Sequence, residues 1–336
     1  MTQRITLEEL TRMLADPDVQ DDELKQYLTT ERLDADNQSV SEPAKGLGPV
    51  LMPNHLVDVQ DSGGQGTQAN IGMGFLNDMY RERRRKRFER DLVENPAKPI
   101  LLAEGDSWFE YPVWLKDTID YLSKHYTIFC LSAAGDELQG MIADAEYRRY
   151  LKELVIDRGL DVEGILLSGG GNDIVGKTLY GMLRNYSPQA TVDDLINQTA
   201  FNRKFADIRG YYNDAIEFIN EKYPGIPIFI HSYDYGKPLP EQGFNIPPLD
   251  GWLGEWLRER DILDNNPLQQ QVVNRLIDSF CESQQLIAQA DSVTFIDCRN
   301  VVGNQWFDEL HPNDDGFKQV AEKFHAALKA ARIGAS

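Results

Sequence analysis

Ser107 stands in Gly105-Asp106-Ser107-Trp108-Phe109, directly after the apolar run Pro99-Ile100-Leu101-Leu102-Ala103, and far downstream the chain carries Asp308-Glu309-Leu310-His311-Pro312. A hydroxyl at the end of a strand attacks a carbonyl when a base removes its proton. A His three residues after an Asp supplies that base, with a carboxylate to orient it. Attack builds negative charge on the carbonyl oxygen, so fixed hydrogen-bond donors are needed as well. These residue types therefore point to acyl transfer at Ser107, with His311 as general base and Asp308 behind it.

Such groups need a frame that brings distant segments to one edge. From Lys98 onward, short apolar runs alternate with amphipathic stretches of helical length. The pattern predicts strands at about 99–104, 126–132, 163–168, 226–232 and 292–297, and helices at about 113–124, 137–157, 193–222, 267–290 and 313–332. Near-continuous apolar character in the strands suits a parallel sheet covered on both faces. The expected architecture is a three-layer, doubly wound α/β/α sandwich, in which ligands bind outside the carboxyl ends of the strands.

Three strand ends run into polar, glycine-containing turns. The first gives Gly105-Asp106-Ser107, the second Ala133-Ala134-Gly135-Asp136, and the third Gly169-Gly170-Gly171-Asn172-Asp173. The backbone N–H groups of Ser107 and Gly135 and the side-chain amide of Asn172 are suitable oxyanion donors. Glycine at 135 permits close backbone approach, and Gly170-Gly171 lets the chain turn Asn172 inward. Each turn alone is common in loops. Their order, and their shared position at strand ends, make the set specific. The Gly-x-Ser-x-Gly elbow of α/β-hydrolases is absent.

Taken in order, Gly-Asp-Ser, the Gly after the second strand, Gly170-Gly171-Asn172-Asp173 and Asp308-x-x-His311 resemble the four blocks of the SGNH or GDSL hydrolase family. The likeness covers residues 98 to 332. It implies a flavodoxin-like fold with a central parallel five-stranded sheet, and hydrolysis of an ester or thioester without metal or cofactor. It maps the four family residues onto Ser107, Gly135, Asn172 and His311, with Asp308 as the triad acid. Trp108-Phe109-Glu110-Tyr111-Pro112 departs from the small polar residues common after the family's Ser.

Trp108 and Tyr233 are expected to shape a substrate pocket, and His231, ending the fourth strand, to line the same edge. Residues 236–266, with Trp252 and Trp256, interrupt the alternation and read either as a lid or as a packing element.

Residues 1–98 read as a helical appendage and connector preceding a hydrolase domain over 99–336. Thr6-Leu7-Glu8-Glu9 forms a capping box, a Gly-, Ser- and Asn-rich stretch at about 34–70 reads as a connector, and a helix follows at about 75–94. That helix carries the basic run Arg81-Glu82-Arg83-Arg84-Arg85-Lys86-Arg87 in a chain of net charge −20. The overall charge disfavours nucleic acid and anionic lipid as partners, and the run reads as a helix face paired with the chain's own carboxylates.

Cys130, Cys281 and Cys298 read as small buried hydrophobes. No secretory leader or membrane span is read from the sequence, so a cytoplasmic enzyme acting on a small-molecule ester is expected. Two other classes were weighed. One is a metal-dependent phosphoesterase using Asp106, Asn172, Asp173, Asp308 and His311; the other is an inert hydrolase fold that binds partners through residues 1–98.

Overall fold

The five apolar runs pair into one sheet in the computed structural model, which describes residues 4–30, 51–53, 56–58, 73–240 and 251–334. The strands are β1 (Ile100–Gly105), β2 (Thr127–Cys130), β3 (Val162–Ser168), β4 (Ile228–His231) and β5 (Val293–Ile296). Their spatial order is β2-β1-β3-β4-β5, and every neighbouring pair is parallel. All five carboxyl ends therefore share one edge. The chain winds one way from β1 to β2 and the other way from β3 to β5. The β1/β3 boundary is thus the switch point where open sheets bind ligands, and it is where Ser107 and Asn172 follow their strands.

Helices flank the sheet with the expected apolar faces. Phe205, Ile208 and Tyr212 of Gln198–Lys222, and Phe317, Val320 and Phe324 of Asp314–Ala330, are buried in the main core. Helix 137–157 is broken: Leu138–Asp144 and Glu146–Leu151 meet at Ala145, whose φ is 54°, and a π turn continues over Lys152–Asp157. Helix 113–124 shrinks to Thr118–Leu122, capped by Asp117. The residues before it stay irregular, and Val113 adopts φ 68°, a strained value for a β-branched residue. A second cluster holds Val113 there, burying it with Leu10, Leu14, Leu24, Leu76 and Tyr80.

The amino-terminal elements are less separate than an appendage. The expected helix runs from Met73 to Glu94, and its Phe88 lies in the main core, edge-on to Phe129 of β2 at 5.0 Å. The capping box forms, with Glu9 N donating to Thr6 Oγ1 at 3.1 Å and Thr6 N to Glu9 Oε2 at 2.8 Å. Within the expected connector, Leu51–Pro53 and Val57–Asp58 make short strands paired with Leu28–Thr30 and Ile5–Thr6. Apart from Leu56, the rest of residues 34–70, and residues 241–250, lie outside the described residues. Among the described residues, no helix is long and apolar enough to cross a membrane.

The basic run pairs with the acidic body, as charge balance predicts, but much of it does so out of water. Arg84 is buried against Glu110, Asp117 and Asp120. Arg83 reaches Asp21 at 3.3 Å and Arg87 reaches Asp120 at 3.1 Å. All three cysteines are buried and free.

Glu104 closes β1 as a buried carboxyl, 4% exposed, accepting the Gly105 N–H at 3.1 Å. Burial pushes its pKa up to about 8 against the opposing charge of Arg81. Between the ordinary glutamate range and that value the folded chain holds the proton that the unfolded chain has lost. The stability this supplies is present at low pH and is lost as pH rises through about 8. Replacing Glu104 with Gln should flatten the dependence. Between pH 6 and 8 the wild type is expected to lose about 1–2 kcal/mol more unfolding free energy than Glu104→Gln, read from urea titrations; parallel curves would contradict this.

Candidate active site

Ser107 and His311 meet across the sheet edge. The Ser107 hydroxyl lies 2.7 Å from His311 Nε2, and Asp308 Oδ2 lies 2.7 Å from His311 Nδ1. Asp308 Oδ1 accepts the backbone N–H groups of Leu310 (2.8 Å) and His311 (2.7 Å), so the carboxylate also fixes the turn that carries the imidazole. Rings hold His311 on two sides, Tyr111 at 4.8 Å and Trp252 at 5.5 Å between centroids. All three polar residues are buried. This is the geometry in which imidazole takes a hydroxyl proton and the carboxylate orients the ring.

Asp106 does a different job from the one its place in a motif suggests. Its Oδ1 accepts Trp108 N at 3.0 Å and Ser168 Oγ at 2.9 Å, and its Oδ2 accepts the Tyr233 hydroxyl. The turn after β1 is thereby tied to the end of β3 and to the segment after β4. Tyr233 Oη in turn accepts Gly171 N at 3.1 Å. Burial, reinforced by the Asp106 charge, raises the Tyr233 phenol well above its usual range, so it stays a donor.

His231 is not a pocket residue, contrary to the sequence expectation. Both ring nitrogens are engaged inside, Nδ1 on Ser232 O and Nε2 on Ser168 Oγ, each at 2.8 Å. Trp108 and Phe109 stack against it. Burial lowers its pKa, and its position is beneath the site rather than facing substrate.

The two remaining turns are joined to each other. Asn172 Nδ2 donates to Asp136 O at 2.9 Å, and one such bond leaves the second amide hydrogen free to donate elsewhere. Gly135 has φ 90° and Gly170 φ 96°, left-handed values that explain glycine at both positions. Asp173 accepts Leu138 N at 2.8 Å, so it caps a helix; burial pushes its pKa up to about 6. Of the five candidate metal ligands, Asp308 and His311 bond each other, while Asp106, Asn172 and Asp173 each hold other partners. Among the described residues, no group of three or more His, Cys, Asp or Glu is placed to hold a metal ion.

A cleft opens over Ser107 and His311, with Asn172, Trp108 and Tyr233 in its wall. The rest of the wall is largely apolar: Ile174, Val175, Leu253, Leu310, and Val273, Leu276 and Ile277 from helix Leu268–Ile287. That helical trio sits at i, i+3 and i+4, a spacing that reads as ordinary core in a sequence and gives no sign of a cleft.

No protein-family model matches the chain, nor does any curated protein. Among solved structures, it is similar to the lipase Lip_vut3 from a goat rumen metagenome, at 14% identity and TM-score 0.46, over 68% of this chain and 97% of that one. It is also similar to an extracellular lipase from Streptomyces rimosus and to phospholipase A1 from Streptomyces albidoflavus, each at 12% identity and TM-score 0.41, over 68% of this chain and 99% of theirs. The likeness is one of fold.

Glu309, between Asp308 and His311, was not singled out in the sequence. Its buried carboxylate accepts four backbone N–H groups: Leu239 (2.8 Å) and Gly254 (2.7 Å) on Oε1, Trp252 (3.0 Å) and Leu253 (2.8 Å) on Oε2. Its own carbonyl accepts Lys237 N at 2.9 Å. The described flanks of the 236–266 excursion are thereby stapled to the loop that carries Asp308 and His311, and Leu253 reaches the cleft. The only signal in the sequence is a second carboxylate in Asp308-Glu309-Leu310-His311 with no chemical task. Burial pushes its pKa up to about 7 even though the four N–H groups oppose that shift. A Gln here sets an NH₂ group against two backbone donors. Glu309→Gln should therefore lose about 1–3 kcal/mol in urea unfolding, and should raise KM for an acyl ester, read by steady-state kinetics, as Leu253 leaves the wall. A variant unchanged in both would refute the staple.

Proposed function

We propose that this chain is a serine hydrolase of SGNH/GDSL type that cleaves a carboxylic ester through an acyl-Ser107 intermediate, with no metal or cofactor in the reaction. The observation that carries this reading is the Ser107–His311–Asp308 relay, with 2.7 Å at each junction. His311 Nε2 takes the Ser107 proton as Oγ attacks the carbonyl carbon, and returns it to the departing alcohol as the carbon–oxygen bond breaks. Water then repeats the sequence: it gives its proton to His311, attacks the acyl carbon, and Ser107 leaves with the proton restored. The Ser107 and Gly135 N–H groups and the Asn172 amide meet the charge on the carbonyl oxygen.

The cleft supports an apolar acyl or aromatic group over a sugar. Its wall offers aliphatic side chains from Ile174 to Ile277 and few polar ones. The acidic surface suits a neutral or cationic ester.

A fluorophosphonate probe should label the folded wild type at Ser107, and Ser107→Ala should lose both labelling and about 10⁴–10⁶-fold in kcat on p-nitrophenyl esters. Residual turnover in Ser107→Ala near the wild-type level would overturn the proposal. Across acyl lengths, Val273→Phe is expected to cut kcat/KM for long chains about 10-fold or more while sparing acetate. Equal losses for all lengths would place the acyl chain elsewhere.

A further inference from the structure

The amino-terminal helix Met73–Glu94 meets the oxyanion turn through two side chains one helical turn apart. Asn77 Nδ2 donates to Ala134 O at 3.0 Å, and Ala134 N donates to Asn77 Oδ1 at 3.2 Å. The pair is buried, with Asn77 8% exposed. Four residues on, Arg81 Nε donates to Ser132 O at 3.3 Å, and its guanidinium pairs with Asp136 at 3.4 Å and Glu146 at 3.1 Å. From the opposite side, Asn172 holds Asp136 O. Every residue of the turn from Ser132 to Asp136 except Ala133 and Gly135 is thus gripped by a side chain from elsewhere. Ala133 N is held by Gly105 O at 2.9 Å.

The chemistry lies in a single peptide plane. The Ala134 carbonyl and the Gly135 N–H belong to one rigid trans amide, so they point in opposite directions. Fixing the carbonyl on Asn77 fixes where the Gly135 N–H aims, on the side away from the helix. Hydrogen bonding at the carbonyl also polarises the amide and strengthens its N–H as a donor. Glycine at φ 90° cannot hold that orientation by its own sterics, which leaves the external clamp to do so.

We infer that Asn77 and Arg81 are positioning residues of the oxyanion hole: the amino-terminal helix aims the Ala134–Gly135 peptide plane at the carbonyl attacked by Ser107. This rests on the reading of Ser107 as an acyl-transfer nucleophile. It makes residues 73–94 part of the catalytic unit rather than of a separate binding module. Arg81 contributes by holding both ends of the turn, at Ser132 and Asp136, so that Asn77 need only set the tilt of its middle.

Full-length Asn77→Asp and Asn77→Leu test it. Asp is nearly isosteric and keeps the acceptor for Ala134 N, but it opposes an oxygen to the Ala134 carbonyl. Leu removes both bonds. Each should lower kcat on a short p-nitrophenyl ester about 10- to 100-fold with KM within about twofold. Each should also weaken an alkylboronic acid, which forms a tetrahedral adduct on Ser107, in parallel with kcat/KM. Arg81→Gln should give the same pattern in smaller measure, and Arg90→Gln, which removes an exposed pair with Asp18 on the same helix, should leave kcat and boronate affinity unchanged. Folded Asn77 variants with wild-type kcat would overturn the inference, and so would losses that track thermal stability and leave boronate affinity intact. A wild type that neither turns over esters nor labels at Ser107 would instead remove the reading beneath it.

Discussion

Three hydrogen bonds converge on the Asp106 carboxylate, from the turn after β1, the last residue of β3 and the segment after β4. A buried carboxylate is tolerable only when donors replace its lost water, and here each donor comes from a different stretch of chain. The turn that carries Ser107 is therefore not a free loop at a strand end. Its position relative to the third and fourth strands is set by one side chain, and the 2.7 Å contact of Ser107 with His311 presupposes it. His231, through Ser168, adds a fourth strand-end group to the same polar cluster.

Charge is handled on the same principle elsewhere. An acidic chain with one strongly basic helix has an obvious way to neutralise itself, and the helix Met73–Glu94 takes it. What matters is where the pairing happens. Arg84 meets three carboxylates in a buried pocket beside the irregular stretch that follows Ser107. Breaking such a cluster from one side is costly, because the remaining charges stay desolvated. The helix is thereby committed to one seating, and that seating also sets its contacts with the turn 132–136.

The parallel sheet and the four polar turns were legible in the sequence because each strand is long enough and apolar enough to announce itself. Ser107, His311 and Asp308 stood out as candidates because acyl-transfer chemistry restricts residue type, and the fold brings the three together. Helices failed where tertiary contacts override propensity. Val113 is pulled to a left-handed φ by a second core that no local pattern reveals, and Ala145 breaks a helix with nothing but alanine in the sequence. His231 looked available because a His at a strand end is a good site residue; only the fold shows both nitrogens already taken. Asn77 was invisible for a plainer reason. Its two bonds span fifty-seven positions of sequence, and an Asn on a helix has no signature of what lies opposite it.

Within Asp308-Glu309-Leu310-His311, alternate duties face opposite ways. Asp308 and His311 look toward Ser107, Glu309 looks into the flanks of the excursion, and the Leu310 carbonyl accepts Trp108 Nε1 at 3.1 Å. Four consecutive residues thus act as one cassette whose parts cannot be exchanged singly. Swapping this loop for one that keeps only the Asp and His would leave the backbone amides of residues 252–254 without an acceptor. A transplant that keeps the excursion must keep the glutamate, and one that discards the glutamate must redesign the cleft wall with it.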